Sequence, residues 1–208
     1  MRGPQNQSSL SSCLPSRTTQ PRPWAAGSVF SGMMLLAGLA AGCQPHPLGG
    51  QPGQRLTAAQ LANMPLEKNV TGVAAFYAPY SPWIWNDDRS KVIGIVINPL
   101  YLVGPDSLGV FGDGVIEPRI YVLEGPPGSD VKTPRLVKEW FFDPQQALQW
   151  RAKKRTVWGW GYVLWLIWGD ELDLAGKEIR ITVSFERSDG KVFHSGKKDY
   201  LVPARGGR

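Results

Sequence analysis

Glu178-Ile179-Arg180-Ile181-Thr182-Val183-Ser184-Phe185-Glu186 alternates polar and apolar side chains without a break. A β-strand turns successive side chains to opposite faces. This period of two therefore predicts a core face of Ile179, Ile181, Val183 and Phe185, with their neighbours in water. Ser188-Asp189-Gly190-Lys191 follows and carries the Asp-Gly pair that a tight hairpin favours, so Val192–Ser195 reads as the returning strand.

Working outward, Val157 to Trp168 (VWGWGYVLWLIW) is apolar on both faces. Its glycines and tryptophans disfavour a helix, and the expectation is a strand covered on both sides. Further strands are expected at Val73–Tyr77, Lys91–Ile97, Val115–Leu123 and Arg135–Phe142. Pro99 should end or bulge the second of these, because proline cannot donate to a ladder. Turn-rich stretches lie between them: Pro105-Asp106-Ser107, Gly112-Asp113-Gly114 and Gly125-Pro126-Pro127-Gly128. Roughly seven or eight strands so punctuated predict an all-β fold, an antiparallel β-sandwich of immunoglobulin or fibronectin type. The domain is expected over 69–203, with 204–208 as a tail. The Cys…Trp…Cys pattern of antibody domains is missing, so the likeness is one of architecture.

The other informative stretch is Ser28–Cys43, SVFSGMMLLAGLAAGC. Arg2, Arg17 and Arg22 precede it, no acidic residue occurs before Glu67, and Ala40-Ala41-Gly42 supplies small residues at its end. These are the parts of a secretory signal peptide, and the apolar run falls short of the roughly 20 residues a permanent bilayer span needs. Residues 1–42 are thus expected to be removed. Residues 43–68 follow as a Pro-, Gly- and Gln-rich flexible tether. Thr57 is placed to cap a short helix over AAQLAN, stopped by Pro65.

Ala40-Ala41-Gly42-Cys43 resembles a bacterial lipobox, with Leu39 one place early. The resemblance implies a diacylglyceryl thioether on Cys43 and cleavage just before it. Ala40 and Gly42 also suit ordinary secretion, which leaves that alternative open. Gln44 after the cysteine implies, by the sorting rule of such lipoproteins, the outer membrane facing the periplasm. The pattern from the Leu102–Asp106 ending through Gly112-Asp113-Gly114, Trp140, Tyr162–Trp168 and Phe185–Gly190 is similar to uncharacterised envelope lipoproteins of Planctomycetes. That resemblance implies a fold and a location, with no activity to carry over.

Cysteine usage agrees with export. Cys13 and Cys43 are the only cysteines. Cys13 leaves with the leader, so the mature chain can form no internal disulfide. A domain of about 135 residues can rely on its core instead, because it buries roughly two-thirds of its unfolded surface. The 23 basic side chains exceed the 17 acidic ones, but three of the basic ones lie in the leader. The remaining excess is small and argues against nucleic acid as a partner.

Few residues carry candidate chemistry. Tyr80 to Asp88 (YSPWIWNDD) reads as a loop with an aromatic pair, Trp83 and Trp85, beside Asp87 and Asp88. Loop aromatics can stack on sugars, so these four form a candidate glycan site, against the alternative that the rings fold back onto a sheet edge. The other tryptophans, in 140–142 and 158–168, are expected mainly in the core. His46 sits in the tether and His194 stands alone in the domain, so no zinc site is expected. His194 and Ser195 are strand neighbours facing opposite ways, which prevents a nucleophile–base pair. Asp170, Glu171 and Asp173 lack the spacing of a calcium loop. Arg151-Ala152-Lys153-Lys154-Arg155 is expected to be a solvated connection. The reading is a non-catalytic lipoprotein, anchored to a membrane, needing no cofactor, with an envelope protein or glycan as partner.

Overall fold

The structure is a computed structural model that describes residues 51–78, 81–126 and 131–204, all within the compact unit Gln44–Arg208. The expected signal segment, Cys43 and His46 lie outside the described residues. The regular structure of the described chain is almost entirely antiparallel strand. After a short helix α1 (Ala58–Ala62) come β1 (Gly72–Tyr77), β2 (Trp83–Trp85), β3 (Val92–Val103), β4 (Gly109–Val110) and β5 (Gly114–Glu124). Then follow β6 (Thr133–Glu139), a single 3-10 turn (Gln146–Trp150), β7 (Tyr162–Ile167), β8 (Glu178–Arg187), β9 (Val192–His194) and β10 (Lys198–Leu201). The strand count exceeds expectation through β2, β4 and β10, which hold only two to four residues each.

Two five-stranded sheets result. In the first, β3 pairs with β1, β2, β4 and β7, all antiparallel. Its twelve residues run through Asn98-Pro99, where the register against both β1 and β7 shifts. Pro99 therefore bulges this strand, which continues to Val103. The second sheet has the order β10-β8-β5-β6, with β9 also on β8. The Asp-Gly hairpin forms as expected, Arg187 N–H donating to Lys191 O at 2.9 Å.

The alternation of β8 holds: Ile179, Ile181, Val183 and Phe185 are all fully buried. They share one cluster with Ile95, Ile97, Leu100 and Leu102 of β3, Ile116 and Ile120 of β5, and Leu164 and Leu166 of β7. Both sheets thus close on a single core, a β-sandwich-like arrangement. The outer face of the second sheet carries charge. All six ion pairs among the described residues join residues of that sheet or its turns, for example Arg180–Asp199 at 2.7 Å across β8 and β10.

Three expectations need correction. Val157–Trp168 is a strand only over Tyr162–Ile167, and only one of its faces is covered: Trp165 and Ile167 are half-exposed. Residues 157–161 leave regular pairing with β3 and instead form a turn bridged to Gly109 of β4. Trp83 and Trp85 lie on β2 rather than in a loop. Finally, part of the expected tether is held against the sandwich. Gly53 N–H donates to Arg155 O at 2.9 Å, Leu56 N–H to Lys153 O at 2.9 Å and Glu67 N–H to Phe111 O at 2.7 Å. Within this stretch Thr57 caps α1 in a full capping box with Gln60, and Leu61 is buried.

Candidate functional site

A roomy concavity on the described surface pairs aromatic and basic groups. It is an open cleft of about 690 Å³ on the outer side of the first sheet. Pro99, Tyr101 and Val163 form its floor, Trp158 a wall, and Arg55, Lys153 and Lys154 its basic side; no carboxylate lines it. The bulge at Pro99 and the end of regular β7 pairing at Tyr162 border the hollow.

The Trp158 wall is built by a tight turn. Thr156 N–H and Gly159 N–H each donate to the other residue's carbonyl, at 3.0 and 3.2 Å. The Thr156 hydroxyl donates to Gly159 O, accepts from Trp158 N–H, and meets the Tyr101 hydroxyl at 2.8 Å. Gly109 N–H donates to Trp158 O at 2.6 Å, and Trp160 N–H returns a bond to Gly109 O at 2.7 Å. The backbone on both sides of Trp158 is thus tied down while its side chain stands 67% exposed. Val157 beside it is 70% exposed. The backbone that carries this large exposed ring has already lost its ordering entropy, which lowers the cost of placing something against it.

Beneath the cleft the basic run behaves differently from expectation. Arg151 and Arg155 are buried, and only Lys153 and Lys154 are exposed. The Arg151 guanidinium lies 4.5 Å from the centre of the Phe111 ring and donates to Leu61 O. Burial pulls its pKa below the ordinary arginine value, opposed by the Tyr162 phenol. The Tyr162 phenol is itself pushed up to about 12 by burial, against the pull of the Arg151 cation and a hydrogen bond from Gly112 N–H. A cation–ring contact and a carbonyl compensate part of the desolvation of this charge. Arg151 thus holds α1 to the sandwich, and Arg155 pairs through its backbone with Gly53 and Gln54.

The four residues expected to form a glycan site are divided by the fold. Trp83 and Trp85 are half-buried and packed against the core, and the Trp83 ring meets Tyr200 edge-on with centroids 5.6 Å apart. They take the sheet-edge alternative. Asp87 and Asp88 are exposed in the β2–β3 turn. Hydrogen bonds from Ser90 hold the Asp88 carboxyl below its usual range. Lys91 Nζ donates to Asp170 O, so this turn lies against the 170–173 loop. The shallow cleft there, about 290 Å³, is lined by Asp173 as its one carboxylate, together with Ser90 and Lys91. Glycosidic hydrolysis uses two facing carboxyl groups.

His194 is exposed on β9 and Ser195 is buried, facing apart as expected. The Ser195 hydroxyl accepts from Val183 N–H at 3.1 Å and donates to Gly196 O at 3.1 Å, a structural role. No group of three or more His, Cys, Asp or Glu residues able to hold a metal occurs among the described residues. No helix among them is long and apolar enough to cross a membrane. No family model matches the chain, and neither a curated protein nor a solved structure matches it.

Sequence reasoning missed the cleft. Trp158 was expected in the core because its stretch is uniformly apolar. The available signal was Thr156 and Gly159 bracketing Val157-Trp158, a turn with two large apolar residues at its tip.

Proposed function

We propose that this chain is an exported envelope lipoprotein, acylated at Cys43, whose immunoglobulin- or fibronectin-like domain has a structural or protein-interaction role without catalysis. The observation that carries the interaction role is the outer face of the first sheet, which presents Trp165 and Ile167 of β7, each about half exposed. Cross-strand pairing sets Val96 beside Trp165 and Gly94 beside Ile167, so the two side chains share one face of the strand. The second sheet also exposes Leu136, Val192 and Leu201, but it carries all six ion pairs among the described residues. Apolar patches of this kind mark contact surfaces. The inward-turned Ser195 and the isolated His194 support the non-catalytic reading.

Two measurements test this. Intact mass of the mature amino terminus reports acylation, and an unmodified Cys43 removes the anchor from the proposal. Photocrosslinking groups placed at Trp165 and Ile167 should trap a discrete envelope protein in intact cells, while the same group at Lys198 on the second sheet should not. Equal, diffuse labelling from both faces refutes the interaction role.

A further inference from the structure

We propose that the Val157–Trp158 tip, with Arg55, Lys153 and Lys154, is a membrane-contact face that seats the domain on an anionic lipid surface. Three observations converge on it. Two adjacent apolar side chains stand 70% and 67% exposed at the end of a turn whose backbone is hydrogen-bonded at Thr156, Trp158 and Gly159. Tryptophan on such a tip matches the headgroup level of a bilayer, where its amphipathic ring is favoured. The neighbouring side chains are cationic, and no carboxylate lines the adjoining cleft, so the charge suits an anionic headgroup layer.

The third observation is the path of the chain. The first described residues to be hydrogen-bonded, Gly53 to Leu56, pair directly with Lys153–Arg155, at the base of the same tip. Cys43 lies ten residues before Gly53. A segment of that length spans at most about 35 Å when fully extended. An acyl group at Cys43 therefore holds the bilayer within reach of this end of the domain. The orientation rests on the acylated reading above; the affinity of the tip for lipid does not. A contact here leaves Trp165 and Ile167 on the sheet face free for a protein partner.

The test uses the unit Gln44–Arg208, which contains every core residue from Leu61 to Val202 and lacks Cys43. Acylation cannot contribute, so failure here is distinguishable from failure of the lipoprotein reading. The protein is sedimented with vesicles of phosphatidylcholine alone and with roughly one-third phosphatidylglycerol. Preferential partitioning to the anionic vesicles is expected. A basic residue at such a surface strengthens partitioning about five-fold, so Lys153→Gln with Lys154→Gln should weaken it about thirty-fold. Both side chains are exposed, and their backbone bonds survive the change. Val157→Ser with Trp158→Ser should abolish fluorescence quenching by lipids brominated near the headgroup, and Lys198→Gln should leave partitioning unchanged. If the double serine variant unfolds, the double glutamine variant carries the test. Equal partitioning to both vesicle types, or no loss in the glutamine variant, overturns the proposal. Saturable binding of a soluble acidic oligosaccharide that competes with the vesicles also overturns it and reassigns the cleft to glycan.

Discussion

Replacing Gly159 by alanine tests whether the turn that presents Trp158 is as tightly seated as the geometry states. Gly159 has a φ of +99°, and a Cβ there would lie 2.4 Å from Gly109 O and 2.5 Å from Gly109 N. Both obstacles are backbone atoms of β4, so no rotamer change relieves them. Gly169 provides the control: its φ is +82°, and nothing lies within 4 Å of its Cβ position. Left-handed backbone costs a non-glycine residue about 1–2 kcal/mol, a penalty both variants share. Forced overlap in a packed site adds about 1–3 kcal/mol, which only Gly159→Ala incurs. The expected destabilisation is thus about 1.5 kcal/mol for Gly169→Ala and about 3.5 kcal/mol for Gly159→Ala. In urea unfolding followed by tryptophan fluorescence, with a slope of about 2 kcal/mol per molar, the midpoints should differ by about 1 M. A difference below about 0.5 kcal/mol is within the scatter of surface substitutions and refutes the close stacking of Gly159 on Gly109.

Three further outcomes are expected. Arg151→Ala removes the ring contact with Phe111 and leaves Leu61 O without its donor, so it should lower stability by about 1–3 kcal/mol and expose 53–62 to proteolysis first. The raised pKa of Tyr162 makes its neutral form part of the folded state. Its contribution is complete below the unfolded value near 10 and is lost as pH rises toward about 12. The two-unit shift corresponds to about 3 kcal/mol, read as a urea midpoint that falls as pH rises from about 10 to about 12. Tyr77 is raised by burial too and adds to the same slope, so Tyr162→Phe should reduce that slope without removing it. Thr57→Ala breaks the capping box of α1 and should cost about 1 kcal/mol, checked by hydrogen exchange at Leu61.

Much of the sandwich was legible because its signals are local. The period-two run of β8, its Asp-Gly turn and the Thr57 cap each depend on residues only a few positions apart. Pro99 announced an irregularity, and the register shifts there. What escaped reading depends on distance along the chain. Arg151 looks like part of a solvated basic run until Leu61, 90 residues away, and the Phe111 ring enclose it. Uniform apolarity over 157–168 could not say which side lacks a covering layer, because period two separates faces only when one of them is polar. Trp83 and Trp85 were read as a loop because Pro82 and Asn86-Asp87-Asp88 leave room for only three strand residues between them. Pairing with β3 overrides that punctuation. Of the candidate site, the lysines were visible as a run, while the cleft beside them depends on the turn closing on Gly109, far away along the chain.

The clasp between Gly53–Leu56 and Lys153–Arg155 also has a mechanical meaning. A pull on the domain from its amino-terminal side reaches this short zipper before it reaches α1 or any strand of the core. Its few main-chain links break one after another and release slack, so the load is spent peeling a surface strip. The sandwich behind it is spared until that strip is gone.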